Sequence, residues 1–231
     1  MTMSKKKNIP DLILIGGSLQ YIILILIAML FYPGGSHLDV NHEGYAFFGN
    51  FFSDLGRTVA INGDSNPIAS IMYYITTIVY GLSLIFFSVF LPQKVPNSNN
   101  HSWIKIGSLA TLVFGAVAGL GTLLYAVTPL NLYQTIHEFG AGVGYIGTVL
   151  FLFGFAGVQL GNPKNRNDHS KAGLFPLLVG GYLLLTILIG NFTDSVFVEM
   201  VMQKSGKFLT QLCLIVEGIT WQRKHKDVNT S

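Results

Sequence analysis

Charge is scarce in this chain: 14 Lys plus Arg and 11 Asp plus Glu among 231 residues, or 11% of the total. A soluble domain usually carries about 25% charged residues. Too little polar side chain is present to clothe a water-facing globule. Cysteine is scarcer still, and the single Cys213 excludes an internal disulfide or a cysteine-based metal cluster. A strong basic excess is lacking too; a formal net charge of +3 does not point to a nucleic-acid partner. No nucleotide loop, catalytic Ser or Cys elbow, zinc-protease helix or haem-attachment motif occurs. What is abundant is apolar: 50% hydrophobic residues, with 26 glycines and 17 phenylalanines. Mean hydropathy is +0.51.

A bilayer core of about 30 Å takes roughly 20 helical residues. Six runs of that order are found, over residues 12–32, 68–91, 104–127, 139–160, 174–189 and 200–221. The composition and these runs predict an all-α fold, a polytopic six-helix transmembrane bundle forming one integral membrane domain over 1–231. The first run follows Lys5, Lys6 and Lys7, as a signal peptide would. Its 21 residues exceed the roughly 7–15 of a signal core and no small-x-small cleavage site follows, so it reads as a retained helix. The sixth is the most polar, with Lys204, Lys207, Gln211 and Glu217.

Placing both termini on one side puts Lys5, Lys6, Lys7, Lys94, Lys105, Lys164, Arg166, Lys171, Arg223, Lys224 and Lys226 there, against Arg57, Lys204 and Lys207 opposite. The bias predicts a multi-pass cell-membrane protein with cytoplasmic N- and C-termini. Gly115 and Gly119 in the third run, and Gly140, Gly144 and Gly147 in the fourth, predict close helix contacts.

The long outer loop, 33–67, holds a segment of interest. On a helical wheel of 48–57, Phe48, Phe51, Phe52 and Leu55 fall on one side and Asn50, Ser53, Asp54 and Arg57 on the other. That pattern predicts a short interfacial helix near 48–57, its polar side capping the bundle. Thr135 and Glu138 fit a capping box at the fourth run, leaving His137 beside it without a structural role. Along the sixth run Gln203, Lys207, Thr210 and Gln211 share a broad face, Lys204 and Lys207 have the option of snorkelling to a helix end, and Glu217 that of reaching Arg223 or water. Asp194 reads as the N-cap of that run.

The primary ligand-binding candidates are therefore Asp54, Arg57, His137, Lys207 and Gln211, with Ser53, Glu138, Asp194, Gln203 and Lys204 secondary. His37, His42 and His137 with Asp39 or Asp54 offer zinc-type donors, but the irregular spacing assigns no metal and no cofactor.

Phe52-Ser53-Asp54-Leu55-Gly56 resembles the Ser-Asp-x-Gly signature of the membrane family catalogued as domain of unknown function (DUF) 998. Pro129 followed by Thr135-Ile136-His137, and Gln203-Lys204 in the last run, resemble that family's other short motifs. This chain departs from the pattern in lacking an Asp after Thr128-Pro129 and in carrying Glu138 after His137. A weaker likeness is to Frag1/DRAM-type membrane proteins. The resemblance implies six helices and no established reaction. Three functions stay open: a protein whose outward-facing polar pocket binds or moves a lipid headgroup or small metabolite, a structural or regulatory subunit without ligand, and a membrane-embedded hydrolase or lipid-modifying enzyme using His137 and Asp54. Membrane lipids are the expected partners.

Overall fold

The structure is a computed structural model and describes residues 9–94, 102–161, 173–190 and 192–227. Six long helices follow in chain order: α1 Ile9–Leu30, α2 Pro67–Lys94, α3 Ser102–Val127, α4 Gln134–Gly161, α5 Leu174–Gly190 and α6 Val196–Asp227. Among the described residues there are no strands, only isolated bridges at Gly34–Glu43 and Val59–Ser65. Four helices, Ile9–Leu30, Pro67–Gln93, Ile104–Val127 and Gln134–Gly161, are long and apolar enough to cross a membrane. α5 is apolar but has 17 residues. α6 has 32 residues and mixed polarity. These are the helices of a membrane protein. Lys5, Lys6, Lys7, Lys164, Arg166 and Lys171, on which the expected orientation leans, lie outside the described residues.

Each helix packs on its sequence neighbours, and α6 returns to pack on α1, so the six close into a ring. Leu12, Leu120 and Leu178 point outward, while Ser18, Thr76, Thr111 and Thr122 are buried between helices. Several inward hydroxyls satisfy themselves locally: Ser88, Thr111 and Thr122 each donate to the carbonyl four residues back at 2.7–2.8 Å. This is the polarity a lipid-embedded bundle requires, because lipid hydrates no polar group.

Glycines set the closest helix approach. A Cβ added at Gly147 would lie 2.7 Å from the Ala118 amide nitrogen, and one at Gly140 would lie 2.9 Å from that of Tyr125. α4 thus packs backbone against backbone on α3, as the spacing of small residues predicts. Gly119 does the same toward the Gly81 carbonyl on α2, where a Cβ would stand 2.7 Å away.

The connection between α1 and α2 folds on itself over one end of the ring. Asn50, fully buried, donates to the Gly35 carbonyl and accepts from the Ala46 amide, both at 2.9 Å. Asn66, also fully buried, donates to the Leu55 and Arg57 carbonyls at 3.0 and 2.8 Å. The turn at Gly35 needs φ of +80°, and any Cβ there would collide with Ile61 and Asn62.

The expected amphipathic helix over 48–57 is replaced by a short 3-10 turn, Phe52–Gly56. Its wheel does not hold either. Phe52, Leu55, Asn50 and Asp54 are all buried, whereas Phe48 is exposed. The reason is tertiary: Asn50 and Asp54 find their hydrogen bonds inside the folded loop, at the Gly35 carbonyl and the Phe51 amide, rather than in water.

Candidate ligand-binding cleft

Side chains of several elements hold the loop to the bundle, among them Tyr74 of α2, whose hydroxyl donates to the Gly56 carbonyl at 2.6 Å. Asn131, between α3 and α4, accepts from the Thr58 amide and donates to the Thr58 hydroxyl, each at 2.9 Å. Gln203 of α6 accepts from the Phe52 amide at 2.9 Å. Lys204 donates to the Asn50 carbonyl, and its ammonium sits 5.2–5.7 Å from the ring centres of Tyr45, Phe47 and Phe52. Lys204 is only 2% exposed, which overturns the snorkelling expectation for it. The aromatic rings and carbonyl replace the water that snorkelling would have sought.

Between loop, α4 and α6 lies a cleft of about 650 Å³. Of the predicted candidates, Ser53, Arg57, His137, Glu138, Gln203 and Lys207 line it. His37 does as well, along with the phenol rings of Tyr21, Tyr73, Tyr125 and Tyr145. Asp54 is not on the surface of the cleft; it lies fully buried behind it. Its Oδ2 accepts from the Phe51 amide at 2.7 Å and faces His37 Nε2 at 3.0 Å. Its Oδ1 stands 3.8 Å from Arg57. Since a carboxylate accepts, His37 donates through Nε2, and its ring is held edge-on to Phe51. Burial, with the Asp54 charge second, pushes the Tyr45 hydroxyl well above its ordinary range. It therefore stays protonated and donates to the Phe51 carbonyl at 3.0 Å.

His137 is nearly buried, its Nδ1 2.7 Å from the Thr128 carbonyl and its ring edge-on to Tyr125. α4 starts earlier than the apolar run suggested, at Gln134, so His137 lies inside its first turns. The expected capping box is not formed. Glu138 instead accepts from the Gln134 side-chain amide at 2.9 Å, because the earlier start moves Thr135 into the helix. Lys207 is half-buried, donates to the Tyr125 hydroxyl at 3.2 Å, and lies 5.3–5.4 Å from the Tyr125 and Tyr145 ring centres.

The remaining candidates fall elsewhere. Gln211, one turn deeper on α6, is fully buried outside the cleft, and neither amide atom makes a hydrogen bond of good geometry. Asp194 is exposed, and Ser195 rather than Asp194 caps α6, its hydroxyl accepting from the Val198 amide. Glu217, expected to reach Arg223 or water, is buried and accepts from Gln159 of α4. Among the described residues no three His, Cys, Asp or Glu side chains cluster closely enough to hold a metal ion. The sequence offered His37 only as one of several zinc-type donors with His42, His137 and Asp39 or Asp54; its hydrogen bond to Asp54, 17 residues on, carries no local signature.

No protein-family model, no curated protein and no solved structure matches the chain.

Proposed function

We propose that this membrane protein binds an anionic ligand, a lipid headgroup or a small polar metabolite, in the cleft between its first loop, α4 and α6. One observation carries the reading. Lys207 places a cation at the wall of a cleft that also receives His37 and Arg57, and no carboxylate pairs with it among the described residues. A partly buried ammonium held only by a hydroxyl and ring faces is incompletely compensated, and an incoming anion would supply what is missing. A purely structural subunit would pair its polar groups internally. His37, Asp54 and Arg57 do pair; Lys207 does not.

On this reading all six helices cross the cell membrane, both termini are cytoplasmic, and the cleft opens outward. The uneven distribution of Lys and Arg supports the orientation. The place of α6 between α5 and α1 in the ring supports a sixth crossing. Phe52 and Ser53, in the segment resembling domain of unknown function 998, line the cleft, which would make that signature part of the site.

The test compares wild type with Lys207→Met, which keeps the stem and removes the charge. Native mass spectrometry from nanodiscs containing phosphatidylglycerol reads lipid retention, and thermal shift with glycerol 3-phosphate reads a soluble anion. Wild type should respond in at least one arm and Lys207→Met in neither. A wild type silent in both arms, or a variant that responds equally, refutes the proposal.

A further inference from the structure

We propose that the same cleft hydrolyses phosphate esters, with His137 and His37 as a general base and general acid. The proposal rests on the anion-binding reading above and adds chemistry to it. Each histidine is held through one ring nitrogen. In His137, Nδ1 faces the Thr128 carbonyl, and a carbonyl only accepts, so Nδ1 carries the hydrogen. Nε2 then carries the lone pair, and a second backbone carbonyl, that of Tyr125, also lies against the ring. In His37, Nε2 is bound to Asp54, leaving Nδ1 without a partner among the described residues. Both rings line the same cleft but reach it from different elements, the loop and α4.

Their settings differ. Behind His37 lies a buried carboxylate, which the Phe51 amide and Arg57 keep oriented. Behind His137 lies a backbone carbonyl, which fixes the tautomer, and the Glu138 carboxylate lines the same cleft. Two imidazoles in one cleft, one backed by a carboxylate and one by a carbonyl, supply the donor and the acceptor that paired acid–base catalysis requires. Lys207, beside the Tyr125 hydroxyl, would bear the charge that builds on the non-bridging oxygens.

The reaction adds water across a P–O bond. His137 Nε2 takes a proton from water as the water oxygen bonds to phosphorus. The bond from phosphorus to the bridging oxygen of the leaving alcohol breaks, and that oxygen takes the proton from His37 Nδ1. The products are the alcohol and a phosphate bearing one new P–OH group. Exchange of one proton each with solvent resets both histidines. No electrons are transferred to or from the protein.

The experiment uses the full chain in nanodiscs of phosphatidylethanolamine and phosphatidylglycerol, with headgroup release followed by phosphorus NMR. A parallel arm offers soluble bis(4-nitrophenyl) phosphate. Turnover in the first arm identifies a lipid substrate and in the second a soluble ester; either supports the proposal. The rate should be bell-shaped in pH. His137→Gln and His37→Gln should each lose roughly 100-fold or more in turnover, a loss larger than any accompanying change in anion binding. Asp54→Asn, a positioning residue, should move the pH profile. Anion binding by wild type without turnover in either arm overturns hydrolysis and leaves the binding proposal standing, whereas absence of binding overturns both. Turnover unchanged in His137→Gln overturns the assignment of the base.

Discussion

Replacing Asp54 separates its charge from its shape, because Asn keeps the size and one acceptor oxygen while Ala keeps neither. In the native loop Asp54 is fully buried, accepts from the Phe51 amide at 2.7 Å and from His37 at 3.0 Å, and has Arg57 at 3.8 Å. Asp54→Asn turns two charge-assisted hydrogen bonds into neutral ones, a loss of about 1 kcal/mol each. The partly exposed Arg57 pair adds under about 1 kcal/mol. Against this, a neutral amide costs less to bury than a carboxylate, which leaves a net loss of about 2 kcal/mol. Asp54→Ala also leaves the Phe51 N–H and the His37 N–H without their acceptor, and its cost rises to about 3–5 kcal/mol. Hydrogen–deuterium exchange of peptides covering 50–57, in nanodiscs, reads these numbers as local opening. At tenfold per 1.4 kcal/mol, exchange should quicken about 30-fold in the Asn variant and about 100-fold or more in the Ala variant. Equal exchange in the two variants, or changes below about threefold in both, would refute the view that Asp54 organises the loop by charge and by shape together.

Two glycines on α4 should respond oppositely to the same substitution. Gly142→Ala meets nothing within 4 Å and should stabilise the detergent-solubilised protein, by about 0.5–1 kcal/mol from helix propensity. Gly147→Ala, whose Cβ would lie 2.7 Å from the Ala118 nitrogen, should lower the thermal midpoint, since overpacking costs about 1–3 kcal/mol; shifts of one sign in both would contradict the packing. Burial pushes the Tyr32 hydroxyl up to about 12 from 10.0. Between those values the folded state holds the proton more tightly than the unfolded chain, so stability should fall as pH rises from 10 to 12. Absorbance titration of wild type against Tyr32→Phe checks the assignment, and an identical titration would refute it. For topology, in a Cys213→Ala background, a cysteine at Glu43 should react with an impermeant maleimide added to intact cells and one at Ser231 should not; the reverse pattern inverts the proposed orientation.

Helix number and order were legible from the sequence because apolar length marks a helix that can cross a membrane: the first four runs satisfy that rule in the structure, while α5 is short and α6 of mixed polarity. The glycine contacts were legible for a related reason: four-residue spacing of small side chains has one geometric consequence on a helix. Helix starts were less so. α4 begins at Gln134 because 134–138 face the loop end of the bundle, where polar residues are tolerated inside a helix, and hydropathy alone drops them. The loop was misread for a deeper reason. A helical wheel assigns sides relative to water, but Asn50 and Asp54 obtain their hydrogen bonds from backbone several residues away and need no water. Six of the ten predicted site residues nevertheless line one cleft, since scarcity of polar groups in a membrane protein concentrates those that remain where they can be satisfied.

Within that concentrated set, pairing separates structural from functional roles better than position does. Lys204 and Lys207 are three residues apart on one helix, and the sequence ranked Lys207 first only because it shares a face with Gln203, Thr210 and Gln211. Lys204 is enclosed, with a carbonyl and three rings around its ammonium, and it fastens the loop to α6. Lys207 has a phenol and two ring faces on one side and the cleft on the other. The histidines are each held by one ring nitrogen, His37 by Asp54 and His137 by the Thr128 carbonyl, and both line the cleft. A loop fastened at Asn131, Gln203 and Lys204 costs conformational entropy that a mere connection between two helices would not need to spend. That cost makes physical sense if holding His37 and Arg57 fixed over His137 and Lys207 is what the loop is for.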